Sequence, residues 1–379
     1  MIRIALIALV ALVAVASSSE EAAAYPQYSL SHEQTCTGCH LSPAGGNLLN
    51  ENGLAAAESM SQFGTSPEFF YMDPDTLPSW LHLGGDLRGS SGFISTPEKV
   101  LAAFPMQMEL YASAKFDNFT AHVNFGPRPS QFGNKAATSV WAREHYLMWQ
   151  QKADEGTGVF VRAGRFMPVF GLRMIEHPLY TRRFGGTPLY SETYGVHLAY
   201  IDPKFEAHAT GFIEDPLISP VAHDSGGALY AEYRLTETFS IGGEGMFTVS
   251  DDDRKATGGI TLKSYLPAAK LLLQAEVMFR NQVIETTPTN PAGGAPNQII
   301  GNLVGTFSLT DFLQLDVGLG YFNTNMRISQ LDRECADLNI RYAVTSHLEL
   351  QLNARYEMFA FADGGPSGGY ALGQLHYRL

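Results

Sequence analysis

Residues 36–40 read Cys-Thr-Gly-Cys-His, inside the stretch HEQTCTGCHLSPAGG. Two thiols separated by two residues can reach one edge of a porphyrin as thioethers, while the next residue, His40, turns beneath the ring as an iron ligand. The spacing therefore points to one covalently bound haem c, held by Cys36, Cys39 and His40. A structural zinc site wants four ligands, and the chain has no second cysteine pair. A redox dithiol sits in a βαβ context that is missing here. Zinc or a bare Cys36–Cys39 disulfide remain the alternatives. For a second axial ligand Met60 ranks first, ahead of Met72, His32 and His82. A sulfur ligand raises the reduction potential relative to a second histidine, so this choice selects the electron donors.

The first residues, MIRIALIALVALVAVA, carry one cation at Arg3, an apolar run and then small residues, which is the pattern of a secretion signal. Cleavage is expected after Ala16 or after Ala24. No second long apolar stretch follows, so a membrane-embedded part must be a closed barrel. We divide the chain into a signal (1–24), a haem segment (25–77) and a barrel (78–379). The haem segment has no alternation: GLAAAESMSQF reads as one short helix, and GTSPEFFYMDPDTLPSW is broken by prolines. About 50 residues are too few for an independent core without a cofactor.

From residue 78 onward the sequence breaks into short segments of period-two alternation, expected to be strands with one lipid-compatible and one wet face. In HLELQLNARYEM, Leu348, Leu350, Leu352, Ala354, Tyr356 and Met358 oppose Glu349, Gln351, Asn353, Arg355 and Glu357. FLQLDVGLGYF, KLLLQAEVMFR and WLHLGGDLRG repeat the pattern. About sixteen such segments are present, an even number as bacterial barrels require. Short links near Asp117–Asn118, Asp202–Lys204, Thr236–Thr238, Pro267–Ala269, Thr310–Asp311 and Ser346 alternate with longer ones at 127–138, 167–189, 215–223, 285–297, 323–329 and 362–368. Short turns on one side and longer loops on the other is the outer-membrane pattern, with the turns periplasmic. The fold expected is all-β: a transmembrane antiparallel barrel of about sixteen strands with a small N-terminal haem c segment. The 37 glycines and the 23 Phe and 17 Tyr suit that class.

Removing residues 1–24 takes away Arg3, Glu20 and Glu21 and moves the formal charge from −13 to −12. No basic stripe is present, so nucleic acid is not a partner. Cys335 reads as an unpaired, functionally neutral thiol. His145, His197, His208 and Glu276 are lumen positions at which a metal could bind, although a lone lumen histidine is ordinarily a hydrated polar residue.

The chain resembles the fused monohaem cytochrome–porins, best known as outer-membrane iron oxidases, with a barrel similar to phosphate-selective porins. The matching residues are Cys36, Cys39 and His40, then Pro43, then Leu49, Asn50 and Gly53 of LLNENG. In the barrel, the stretch GRFMPVFGLR at 164–173 is similar to a porin strand-to-loop signature. The resemblance implies electron transfer across the outer membrane, from ferrous iron or another extracellular donor to a periplasmic c-type cytochrome or similar carrier. The glycine-rich SPAGGN and the lead-in YPQYSLSHEQT depart from the iron-oxidising pattern and bear on the donor. The rival function is a solute channel whose haem segment is a structural plug or redox sensor. A third is small-molecule catalysis at an open haem position.

Overall fold

The computed structural model describes Leu30 and residues 35–46, 48–64, 77–95, 98–127, 140–152, 155–174, 176–215, 224–251, 253–285, 294–328, 331–359 and 367–379. His32 and Met72 lie outside these residues.

Two helical pieces come first, α1 (Cys36–Cys39) and α2 (Glu51–Ser59). Five strands follow, β1 (Leu81–Ser95), β2 (Lys99–Phe116), β3 (Phe119–Pro127), β4 (Val140–Gln150) and β5 (Gly158–Phe166). After a short helix, α3 (Tyr180–Gly185), come β6 (Thr193–Asp202), β7 (Phe205–Phe212), β8 (Ser225–Thr236), β9 (Phe239–Val249), β10 (Asp253–Leu266) and β11 (Leu271–Ile284). The last five are β12 (Asn297–Ser308), β13 (Leu313–Asn323), β14 (Asp332–Ala343), β15 (Leu348–Phe359) and β16 (Gly368–Arg378). Each strand pairs antiparallel with its sequence neighbours, and β1 pairs with β16 from Asp86↔Arg378 to Ser95↔Gly369. The sheet is a closed sixteen-strand barrel with no free edge.

The alternation sets which way each side chain points. On β15, Leu350, Leu352, Tyr356 and Met358 are 42–53% exposed on the outer wall, whereas Glu349 and Arg355 are 4% and 5% exposed on the inner wall. On β13, Val317 and Leu319 face out while Gln314 and Asp316 are buried inside. Outward apolar and inward polar is the transmembrane barrel arrangement, reversed from a soluble protein. Aromatic side chains ring one end, with Trp80 stacked on Phe116 at 5.2 Å between ring centres and Phe119, Tyr200, Phe205 and Tyr233 exposed nearby in the turns' vicinity.

All six expected short links join strands at one end. A seventh link at that end, residues 151–157, was not anticipated from sequence, since its Lys, Asp, Glu and Gly look like any polar loop. The other end carries the longer connections, except 96–98 and 250–252, which are as short as turns.

The largest connection, 167–192, folds back into the lumen. Tyr180, fully buried, packs with Phe170, Phe212, Met246, Met278, Ile300, Phe322 and Cys335. Burying an aliphatic or aromatic side chain of this size contributes about 1.5–3 kcal/mol. Polar contacts tie the same segment to the inner wall: the Leu172 N–H donates to Glu276 Oε1 (2.8 Å), the Tyr180 hydroxyl to Glu357 (2.8 Å), and Asn302 Nδ2 to Thr181 (2.7 Å). Gly171 sits at φ +68°, and a Cβ there would come within 2.2 Å of Glu276 Oε1, so only glycine lets the chain approach this carboxylate. A sixteen-strand lumen is too wide for its own side chains to fill, and this segment fills part of it.

Leu352→Arg places a cation on the outer wall near mid-strand and is expected to cost about 2–4 kcal/mol in reversible denaturant unfolding from vesicles. The inward neighbour substitution Asn353→Arg is expected to cost less; equal costs would contradict the assigned phase of β15.

Candidate functional site

The cysteine motif forms its own small fold. α1 is a single helical turn in which the His40 N–H bonds to the Cys36 carbonyl (2.9 Å). The chain then turns through 41–46 and returns, so that His40 pairs with Leu49 and the Leu41 N–H reaches the Leu48 carbonyl (3.1 Å). Asn50 locks the return. Its backbone N–H donates to the Cys39 carbonyl (2.9 Å), its Nδ2 donates to the Thr37 carbonyl (3.0 Å), and its Oδ1 accepts from the Gly53 N–H (3.0 Å), capping α2. A Cβ at Gly53 would lie 2.2 Å from the Cys39 carbonyl oxygen. The Leu-Asn-x-x-Gly stretch is thus the clamp that lets α2 press onto the cysteine turn.

This unit sits across the barrel mouth at the short-turn end. Thr37 Oγ1 donates to the Gly156 carbonyl in the β4–β5 link. At the far side, the Gln62 and Phe63 N–H groups donate to the Ala343 and Val344 carbonyls, and the Ser346 N–H donates to the Gly64 carbonyl, in the β14–β15 link. Those two links are six strands apart by the shorter way round a sixteen-strand circle. Between them Leu48 packs on β1, where Gly84 leaves it room.

Above the cysteine unit, toward the inward segment, lies a cavity of about 430 Å³. Cys36, Cys39, His40 and Met60 of the cysteine unit line it, together with Arg173, Met174, His177 and Arg182 of the inward segment. The volume falls within the range of small-molecule and cofactor sites. Both thiols are free and partly buried. Burial pushes their pKa values up, so they are neutral thiols. Burial also pulls the His40 pKa down to about 4, against carbonyls of Gly46 and Leu48 that favour the protonated ring. His40 Nδ1 lies 2.9 Å from the Gly46 carbonyl oxygen. A proton on Nδ1 bonded there leaves the Nε2 lone pair available, the tautomer that ligates a metal. The donor set therefore fits a covalent haem c: two free thiols on one helical turn, a neutral oriented imidazole, and a cavity beside all three.

Met60, the C-cap of α2, shares this cavity. His82 lies on the inward phase of β1 but does not line it. His177, on the inward segment, does line it and was not singled out from sequence. Burial among Arg182, Arg88, Arg183 and Arg355 pulls its pKa down to about 4, so it is neutral.

The other lumen positions behave differently from expectation. His197 and His208 are buried and stacked with a 3.0 Å contact between rings, and His145 meets Tyr194 at 3.1 Å, so none is a lone hydrated group. Glu276 receives the inward segment's Leu172 N–H. Cys335 is no bystander to packing: it is buried against Tyr180, and Arg355 Nη2 lies 3.0 Å from its sulfur. Among the described residues no group of three His, Cys, Asp or Glu is placed to hold a metal ion. Sequence reasoning also missed a polar chain on the inner wall near the closure: Tyr111 donates to Asp86 (2.6 Å), Asp86 meets His376, and Arg143 bridges Glu109 (2.9 Å) and Glu192 (3.0 Å). Its only sequence signal is that these residues, apart from Glu192 at the end of the inward segment, fall on the wet phase of their strands.

Comparison with solved structures places the barrel. It is similar to OprB of Pseudomonas putida (TM-score 0.62, 12% identity, 85% of this chain and 99% of that one). It is similar to OmpF of Salmonella typhi in complex with daunomycin (0.61, 11%, 79% and 97%). It also resembles the outer membrane channel DcaP of Acinetobacter baumannii (0.56, 13%, 79% and 97%). The fold is that of the outer-membrane porins. No protein-family model matches the sequence, and no curated protein matches it.

Gly53→Ala is expected to loosen the cysteine unit by about 1–3 kcal/mol, the usual range for overpacking. Asn50→Ala, which removes the cap, is expected to cost about 1 kcal/mol. Limited proteolysis of the folded barrel should cut residues 35–64 faster in both variants while the barrel stays intact; unchanged protection would contradict the clamp.

Proposed function

We propose that the chain is an outer-membrane barrel carrying one haem c at its periplasmic mouth, bound through Cys36 and Cys39 and ligated by His40, and that it passes electrons between an extracellular donor and a periplasmic c-type cytochrome or similar carrier. The observation that carries this reading is the cysteine turn clamped across the short-turn end of the barrel, with His40 oriented by the Gly46 carbonyl and facing a lumen cavity. Haem, when bound, supplies a one-electron ferric/ferrous couple. The protein's part is position and environment. α1 presents both thiols on one edge, Asn50 and Gly53 fix its angle, and Met60 is the proposed second ligand on the same cavity. The inward segment and the cysteine unit restrict water from the two ends, while the strands insulate the site from lipid. The exposed aromatic and charged rim at the short-turn end is where a soluble carrier would meet it. Ferrous iron is the proposed donor class on the long-loop side.

A second reading is a solute channel whose cysteine unit is a plug or redox sensor. The likeness to porins backs the channel more directly than it backs the relay, because it is a likeness of the barrel.

One preparation separates the two. In liposomes with trapped cytochrome c and a bulky, membrane-impermeant ferrous chelate outside, the relay predicts reduction inside that falls by roughly tenfold or more in Cys36→Ser/Cys39→Ser. Equal rates in both proteins, together with a large steady single-channel current, would overturn the relay and establish the channel.

A further inference from the structure

One charged group beside the cysteine unit has no close ion-pair partner among the described residues: Glu144 acts on it from farther off, and Tyr146 interacts with it. Arg162, on β5, is 2% exposed and lines the same cavity as Cys36, Cys39 and His40. Its guanidinium lies over the Phe166 ring at 3.9 Å and the Tyr146 ring at 4.9 Å, so aromatic faces shield it from water. Its Nε and Nη2 have no hydrogen-bond partner, and it makes no ion pair with any described residue. The neighbouring arginines are spoken for: Arg143 by Glu109 and Glu192, Arg165 by Asp215, and Arg173 by Glu206. A desolvated cation with two free donors is unfavourable unless a ligand supplies the anion.

The position of Arg162 narrows what that anion is. Tyr146, on β4, interacts with both Arg162 and Ser42, and Ser42 is two residues past His40. Thr37 is fixed to the β4–β5 link below. The segment from Thr37 to Ser42, with Cys39 and His40, therefore runs along the wall that carries Arg162, while Cys36 sits toward Glu206, Glu232 and Lys263 of β7, β8 and β10. The two orphan donors of Arg162 suit the paired oxygens of a carboxylate.

We infer that Arg162 is a carboxylate seat for the cofactor's own propionate, anchoring a haem attached at Cys36 and Cys39 against the β4–β5 wall. This rests on the haem reading above. A free carboxylate solute in the lumen would offer the same chemistry, so the test separates the two sources.

The holoprotein is purified from outer membranes with c-haem maturation, and its haem midpoint potential is measured for the parent, Arg162→Lys and Arg162→Gln. Losing one cation beside the propionate stabilises the ferric form, so at a fixed ambient potential Arg162→Gln is expected to lower the reduced-to-oxidised ratio by roughly tenfold, the effect of one unit charge through an effective dielectric of about 20. Arg162→Lys keeps the charge and is expected to stay near the parent. Redox-difference infrared spectra should show the propionate carboxylate stretch shifting in the Gln variant. Covalent haem with an unchanged potential and an unshifted stretch in Arg162→Gln would overturn the seat and leave the haem reading standing. A parent without covalent haem would overturn both. In Cys36→Ser/Cys39→Ser, succinate that raises thermal stability only when Arg162 is present would assign the seat to a free solute and overturn the propionate assignment.

Discussion

Hydrocarbon offers no partner for a backbone N–H or C=O, and the rest of this structure follows from that constraint. The sheet must close, so β1 finds β16 across almost three hundred residues of sequence, as in the Asp86↔Arg378 pair. Closure fixes the pleat, and the pleat sends Leu350 and Leu352 to lipid and Glu349 and Arg355 inward. Sixteen strands then enclose more space than their side chains fill, and two parts of the chain enter it. The segment 167–192 comes from the long-loop end and docks Tyr180 on an apolar patch of inner wall. The cysteine unit crosses the short-turn end and is tied to it by backbone hydrogen bonds. The candidate site is the space left between them.

That arrangement explains how so small a cysteine unit holds a shape. Residues 35–64 have no core of their own, and their order comes from the Asn50 hydrogen bonds, the Gly53 contact and three anchors on the barrel. A covalent cofactor would add what a short chain lacks, a large rigid apolar body to pack around. In the proposed reading, the cavity beside His40 receives it.

The barrel was legible in the sequence because period-two alternation is a local signal, repeated sixteen times and punctuated by Asp-Asn, Asp-Pro-Lys and Pro-Ala-Ala turns. The motif at 36–40 stood out by its spacing, and the structure gives it a single helical turn closed by the His40 N–H on the Cys36 carbonyl. The inward fold of 167–192 was not, since Phe170, Tyr180 and Phe184 are as compatible with a long exposed loop as with a lumen plug; the patch that receives Tyr180 is spread over seven strands. For the same reason Cys335 read as neutral, its neighbours Tyr180 and Arg355 being far away in sequence. His177 and Arg162 were missed because nothing local marks a wet-phase or loop residue as one that turns toward the cysteine unit. The Leu-Asn-x-x-Gly stretch was visible as a resemblance, but its mechanical role, an Asn cap and a glycine under the Cys39 carbonyl, arises only once the chain has turned back through 41–49.

The most direct test of the account is the mass of the peptide containing Cys36 and Cys39, digested from protein purified out of outer membranes of cells with c-haem maturation. The account predicts that peptide plus one haem, with both thiols consumed. The same peptide unmodified, or closed as a disulfide, would contradict it.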